Sequence, residues 1–324
     1  MTQTSSFTDR IRKRYPEGLT GVFVMGGTRL TYALTHGHGS ADPGHINEFD
    51  DYTDYGYDLL RNIFSTYFEL GGQNIIYPGL SYQQFNNSRG SEYTEHMVRA
   101  CYKLMQDQWV DFYHQMKIDP YITGIDTLIH FPESQLAYDF GMKCRQFNES
   151  WSYKAGRRKL IWEIAPIPLF SFWRAHQVMG KEAQADLEHQ ISTVPDLQTL
   201  HDSLYQYYSR AVYGVELPKP HFYLGTNRNG DLKLRAMLPI ALLCGDPFRM
   251  FFVPYPSLFT TRETLQAILE DLAFGNPLRS TKADYSGQLT SELVEQEYQR
   301  ILKLSADPTT TLGFVRKVQS DNQD

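Results

Sequence analysis

The sequence predicts an α/β fold, a central and mostly parallel sheet flanked by helices on both faces, and three observations predict it. Short β-branched and apolar runs alternate with longer stretches whose apolar residues recur every three or four positions. Glycine pairs punctuate the change from one to the other, at Gly26-Gly27 and again at Gly71-Gly72. Strand and helix keep alternating in the order that parallel strands joined by crossover helices require. The length, 324 residues, is within the range of one large α/β unit.

Taken in order, residues 20–25 (TGVFVM) read as the first core strand, stopped by the glycine pair. Residues 55–70 place Leu59, Leu60, Ile63, Phe64, Tyr67 and Phe68 at helical spacing, which predicts a helix with one apolar face closed by Gly71-Gly72. The following NIIYPG is a second strand. Residues 92–116 carry a further helical pattern through Met97, Cys101, Leu104 and Met105, and YITGIDTLIHF, residues 121–131, reads as a strand. KLIWEIA (159–165), HFYLG and RMFFVP complete the strand set, with a helix over 196–212. In such sheets ligands sit at the carboxyl ends of the strands.

Composition narrows the function. Hydrophobic residues at 41% and charged residues at 21% suit a chain that buries a core. A net charge of -6 gives no general attraction to nucleic acid, so none is expected as a partner. Cys101, Cys144 and Cys244 are far apart and read as reduced, buried thiols. The N-terminus is polar and basic, and no run of about 18 apolar residues occurs, so no stable membrane insertion is expected and the cytoplasm is the default location. Aromatic residues reach 14%, with 22 Tyr and 19 Phe. They serve core packing, or line a pocket for a greasy ligand or a carbocation, and composition does not choose.

Five clusters hold chemistry. Met25-Gly26-Gly27-Thr28-Arg29 follows the first strand: it is a turn, or a loop whose backbone and forked Arg29 cation suit phosphate oxygens. His36, His38 and His45 lie among glycines at a spacing that fits no common zinc signature, and are read as loop residues. Asp50, Asp51, Tyr52, Asp54 and Tyr55 come just before the helix at 55–70, where acidic residues cap the helix dipole. The alternative is a site in which Tyr52 orients water or a cation while a carboxylate, Asp50 or Asp51, holds magnesium or a proton. Asn86 to Tyr93 lies beyond the second strand and contributes Arg89 and Tyr93. Asn227 to Arg235 gathers Arg228, Lys233 and Arg235 in a glycine-centred turn, either around an anion or pointing separately into water.

In order and spacing these clusters resemble the cis-prenyltransferase-like (undecaprenyl diphosphate synthase-like) family. Gly27-Thr28-Arg29 resembles its opening D-G-x-R loop, and Asn229-Gly230-Asp231 with Lys233 and Arg235 its late S-G-E-x-R-x-S segment. Asp50-Asp51-Tyr52, Arg89-Gly90 with Tyr93, and Lys282-Ala283-Asp284-Tyr285-Ser286 resemble the tuberculosinol synthase and kolavelool synthase branch. The resemblance spans residues 20–315, which implies one catalytic domain there, with a polar segment over 1–19 and a polar tail over 316–324.

The resemblance implies a homodimeric, cytoplasmic terpene synthase that ionises a bicyclic diterpene diphosphate and quenches the allylic cation with water. Gly27, Thr28, Arg29, Arg89, Arg228, Lys233 and Arg235 would hold the diphosphate. Arg29, Asp51, Tyr52 and Tyr93 would take part in the chemistry, the two phenols flanking the cation. Mg2+ is the implied cofactor. Gly26, however, stands where chain-elongating members carry an aspartate, and Leu30 where they carry a second basic residue, which leaves Asp50 and Asp51, or the diphosphate and water, to hold the metal. The alternatives are transfer of the diterpenyl group to a nucleoside or other nucleophile, and a non-catalytic lipid-binding subunit.

Overall fold

The computed structural model describes residues 6–36, 49–85, 90–227, 248–275 and 291–306. Six parallel strands form one sheet in the order β3-β4-β2-β1-β5-β6. They are β1 (Leu19–Val24), β2 (Gly72–Leu80), β3 (Ile118–Thr123), β4 (Arg158–Ile164), β5 (Phe222–Gly225) and β6 (Arg249–Phe252).

Strand periodicity divides the buried residues into two layers. Phe23, Ile75, Leu160, Trp162, Phe222 and Leu224 belong to one apolar cluster, and their neighbours Val22, Val24, Ile76, Ile161 and Tyr223 to another, because successive side chains leave a strand on opposite faces. The first layer is closed by α3 (Phe49–Glu69), α4 (Ser91–Tyr102) and α5 (Asp107–Gln115). On α3, Leu60, Ile63, Phe64, Tyr67 and Phe68 are buried at helical spacing, each contributing roughly 1.5–3 kcal/mol of transfer free energy as an upper bound. Tyr67 donates its hydroxyl to the Leu19 carbonyl at 2.9 Å, which ties α3 to the start of β1. The opposite layer is closed by α8 (Pro168–Val178), α10 (Leu197–Tyr208) and the π-helical turn Ser209–Tyr213 through Phe172, Tyr208 and Tyr213.

Three expectations are corrected. Residues 121–131 are not one strand. β3 ends at Thr123, Gly124 turns at φ +78°, and a short helix covers Asp126–His130. A Cβ at Gly124 would lie 2.5 Å from the Ile164 carbonyl, so only glycine lets the chain turn against the end of β4.

The pattern over 92–116 is likewise two helices. α4 ends at Tyr102, a 3-10 turn spans Lys103–Met105, and Gln106 is extended before α5 begins. Leu104 on one side and Trp109 on the other keep the same burial, so periodicity crosses the break unmarked. Further, α3 starts at Phe49, which puts Asp50 and Asp51 inside its first turn and not before it. The polar segment 1–19, described from residue 6, packs against the core. Its helix α1 (Phe7–Arg14) buries Ile11 completely, and Tyr15 donates to the Leu272 carbonyl.

Candidate active site

β1 ends at Val24, and the chain then runs through Met25-Gly26-Gly27 into α2 (Thr28–His36). Gly27 has φ +81°, and a Cβ there would come within 2.8 Å of Pro256 Cβ and 2.9 Å of Asn227 Cγ. Glycine is therefore demanded by conformation and by space. The Thr31 N–H bonds the Gly27 carbonyl at 2.9 Å, which starts the helix immediately. A helix start leaves its first N–H groups without helical acceptors, and its dipole favours an anion there. The first turn of α2 contains no acidic residue to occupy that position.

Beside this helix start opens a cavity of about 380 Å³ at the carboxyl ends of β1, β2 and β4. Tyr52, Gly56, Tyr57 and Leu60 present one face of α3 to it, while Tyr77 of β2, Cys101 of α4 and Trp162 of β4 close the interior. Gly26, Gly27, Thr28 and Arg29 lie on the same lining, joining a polar mouth to an apolar interior. Arg29 is exposed, and among the described residues no carboxylate pairs with it.

The polar ends of the aromatic walls are already engaged. Tyr57 donates to the Ala100 carbonyl at 3.0 Å, and Trp162 Nε1 to the Tyr113 hydroxyl at 3.0 Å. The Tyr52 hydroxyl shares a 2.8 Å hydrogen bond with Thr28 Oγ1, linking the phenol to the first residue of α2. Burial raises the pKa of Tyr52 against the opposing Thr28 hydrogen bond, and burial holds Tyr57 well above the ordinary phenol value. Both therefore stay neutral, as ring faces that attract a cation must. Burial also pushes the Cys101 thiol up to about 12, which makes it an inert wall group and no nucleophile.

The predicted site residues separate into three sets. Gly27, Thr28, Arg29 and Tyr52 meet at the mouth. Tyr93 stands one ring further out, half-buried, with its ring 6.2 Å from that of Phe49, which packs edge-on against Tyr52 at 5.5 Å. Arg89, Arg228, Lys233, Arg235 and the Lys282–Ser286 motif lie outside the described residues.

Asp50 and Asp51 are exposed and do not line the cavity. Helical geometry explains this: Phe49, Tyr52, Thr53, Gly56, Tyr57 and Leu60 form the lining stripe, and Asp51 is on the far side of the helix from it. Lys103 bonds Asp54 at 2.6 Å and lies 3.9 Å from Asp50, so the nearest cation already neutralises that carboxylate pair. Among the described residues no group of three or more His, Cys, Asp or Glu side chains gathers to hold a metal. Nor is there room for an aspartate at position 26, since a Cβ on Gly26 would lie 2.9 Å from the Thr226 carbonyl oxygen. The described residues do not gather a set of ligands for a resident magnesium, and Asp50 and Asp51 do not face the cavity. Asp50→Asn and Asp51→Asn are each expected to keep activity within about 2-fold, as exposed substitutions do; steady-state rates over a magnesium titration check this.

Sequence reasoning did not single out Gly56, Tyr57, Leu60, Tyr77 or Trp162. The helical repeat from Tyr52 was a usable signal for the first three. Tyr77 and Trp162 come from separate strands and meet only through the sheet register, Tyr77 opposite Trp162.

No family model matches the sequence, and no curated protein matches it. Solved structures with a similar backbone include lavandulyl diphosphate synthase from Lavandula x intermedia in complex with dimethylallyl diphosphate. It is 14% identical with a TM-score of 0.48, over 80% of this chain and 96% of that one. A probable undecaprenyl diphosphate synthase from Campylobacter jejuni is 10% identical with a TM-score of 0.45, over 79% of this chain and 95% of its own. Among the described residues no helix is long and apolar enough to cross a membrane.

Proposed function

We propose that this chain is a diterpene synthase of the cis-prenyltransferase-like kind, which ionises a bicyclic diterpenyl diphosphate and releases a diterpene alcohol. One observation carries the reading: an aromatic-walled apolar cavity opens on the start of α2, where Arg29 has no counter-ion among the described residues. Such a site is matched to a molecule that is greasy at one end and strongly anionic at the other.

Size supports the assignment. A cavity of ~150 Å³ holds a benzene molecule. On that scale a 380 Å³ interior takes about fifteen carbons, the ring portion of a diterpenyl skeleton, and leaves the allylic end at the mouth.

The chemistry follows from position. The allylic C–O bond breaks with its electron pair going to the diphosphate, whose growing charge is met by Arg29 and the N–H groups at the start of α2. The cation left behind lies among neutral rings, Tyr52 and Tyr57 foremost, which stabilise it through their faces without capturing it. Water entering at the mouth adds to the allylic system, and its proton passes to the departing diphosphate, the strongest base present.

Incubating the purified chain with a kolavenyl or halimadienyl diphosphate, with and without adenosine, tests the reading. A diterpene alcohol and one equivalent of inorganic diphosphate are expected in both reactions. An adenosine adduct would transfer the assignment to a prenyltransferase, and substrate binding without diphosphate release would end the catalytic reading.

A further inference from the structure

A census of hydrogen bonds around the cavity leaves a second unmatched donor beside Arg29. Thr28 and Tyr52 bond each other, the Thr53 hydroxyl donates to the Phe49 carbonyl, and Tyr57 donates to the Ala100 carbonyl. Gln84 also lines the cavity, as the last residue of the 3-10 turn Tyr82–Gln84. Its Oε1 accepts the Ser81 N–H at 2.7 Å and closes a capping box.

That bond fixes the orientation of the amide. An N–H group is matched only by an acceptor, so Oε1 faces Ser81 and Nε2 takes the other prong. Among the described residues no acceptor engages Nε2. The loop around it is pinned, because Thr94 Oγ1 donates to the Gln84 carbonyl at 3.2 Å. Gln84 follows the end of β2 as Arg29 follows the end of β1, and these two strands are neighbours in the sheet. Two donors without acceptors thus stand at the carboxyl ends of adjacent strands, on one cavity.

We infer that Gln84 is a substrate-positioning residue whose Nε2–H donates to an oxygen of the diphosphate held by Arg29, an inference that rests on the function proposed above. The polarity of the group selects this role. The hydrogens of an amide are the positive end of its dipole, so they repel a carbocation and attract an anion. Gln84 therefore holds the leaving group at the mouth and turns the allylic carbon toward the phenols.

Q84E removes the donors and adds a charge. The substituted side chain has the same shape and keeps an oxygen for the Ser81 N–H, since glutamate serves a capping box as glutamine does, but both N–H donors are gone. Gln84→Met removes the donors without adding charge. Inorganic diphosphate binding by calorimetry, with the wild type, Q84E, Gln84→Met and Arg29→Ala as the four proteins, is the measurement.

Both Gln84 variants are expected to bind diphosphate about 10- to 100-fold more weakly, as the loss of a hydrogen bond to a charged acceptor requires. Q84E is expected to keep the thermal midpoint of the wild type. As the pH is lowered and the introduced carboxyl is protonated, it can donate again and no longer repels the anion, so the ratio of Q84E to wild-type Kd narrows; at neutral pH the uncharged Gln84→Met separates the lost donor from that repulsion. Wild-type affinity in both Gln84 variants, with binding lost in Arg29→Ala, would overturn the inference and leave the cradle standing. Wild-type affinity in Arg29→Ala would bring down the diphosphate cradle itself.

Discussion

Arg29→Ala is expected to lower kcat/KM for a diterpenyl diphosphate by about 10²–10³, the loss typical when one preorganised donor to a developing anion is removed. The side chain stands at the mouth of the cavity, one residue into α2, and among the described residues no carboxylate claims it. Because the leaving group gains charge as the C–O bond breaks, the interaction strengthens toward the transition state, and the loss should fall on kcat as well as on KM.

Arg29→Lys should recover only part of the activity, since a point charge does not reproduce the planar fork that grips two oxygens. The exposed position predicts an unchanged thermal midpoint for both variants, so a folding defect would not imitate the effect. Release of inorganic diphosphate measured under steady-state conditions reads the result. Activity within a few-fold of wild type would mean that the anion is held elsewhere.

The strands were legible because runs such as TGVFV and NIIY are rich in β-branched residues and end at glycines, and all parallel pairings follow from their alternation with helices. The start of α2 was not legible. Gly26-Gly27-Thr28 reads as a turn, and the helix instead follows at once on a glycine of positive φ that packs without room for a Cβ against Asn227 and Pro256. α8 was also missed: its opening Pro168 looks like a breaker, yet proline is well suited to the first turn of a helix, where its missing N–H costs nothing.

At the site, Thr28, Arg29 and Tyr52 were identified from local chemistry, and they do converge. The acidic pair does not face the cavity, for a geometric reason. Read as lying before a helix, Asp50 and Asp51 were free to face a ligand; inside the helix their directions are set by its repeat, which gives the cavity to Tyr52 and Thr53. Gln84 carries no sequence signal at all beyond Ser81 three residues before it, because its importance lies in which of its two amide atoms is already used.

Glu163→Gln is expected to stabilise the protein at alkaline pH and to leave it unchanged in acid. Glu163 lies on β4 between Trp162 and Ile164, and the alternation that sends those two into the cavity layer sends Glu163 into the opposite layer, against Tyr213 and Tyr208. It is 2% exposed. Oε1 accepts the Tyr213 hydroxyl at 3.0 Å, while Oε2 has no partner among the described residues. Burial, only partly opposed by the Tyr213 hydrogen bond, raises its pKa from 4.5 to about 7.

The sign follows from proton counting. Between pH 4.5 and about 7 the unfolded chain has released this proton and the folded chain has not, so the folded state binds more protons and stability falls as pH rises. The stabilising contribution of the neutral acid is full below 4.5 and lost once the pH passes about 7. A displacement of that size corresponds to about 3 kcal/mol. Glutamine keeps an acceptor for Tyr213 and cannot ionise, so its advantage over the wild type should be near zero at pH 4.5, grow through neutrality and level off at about 3 kcal/mol by pH 8. Urea denaturation of both proteins across that range gives the difference directly. A constant offset at every pH would show that Glu163 is already ionised in the folded chain, held by a cation or by water, and that the carboxyl is not the neutral acid its surroundings demand.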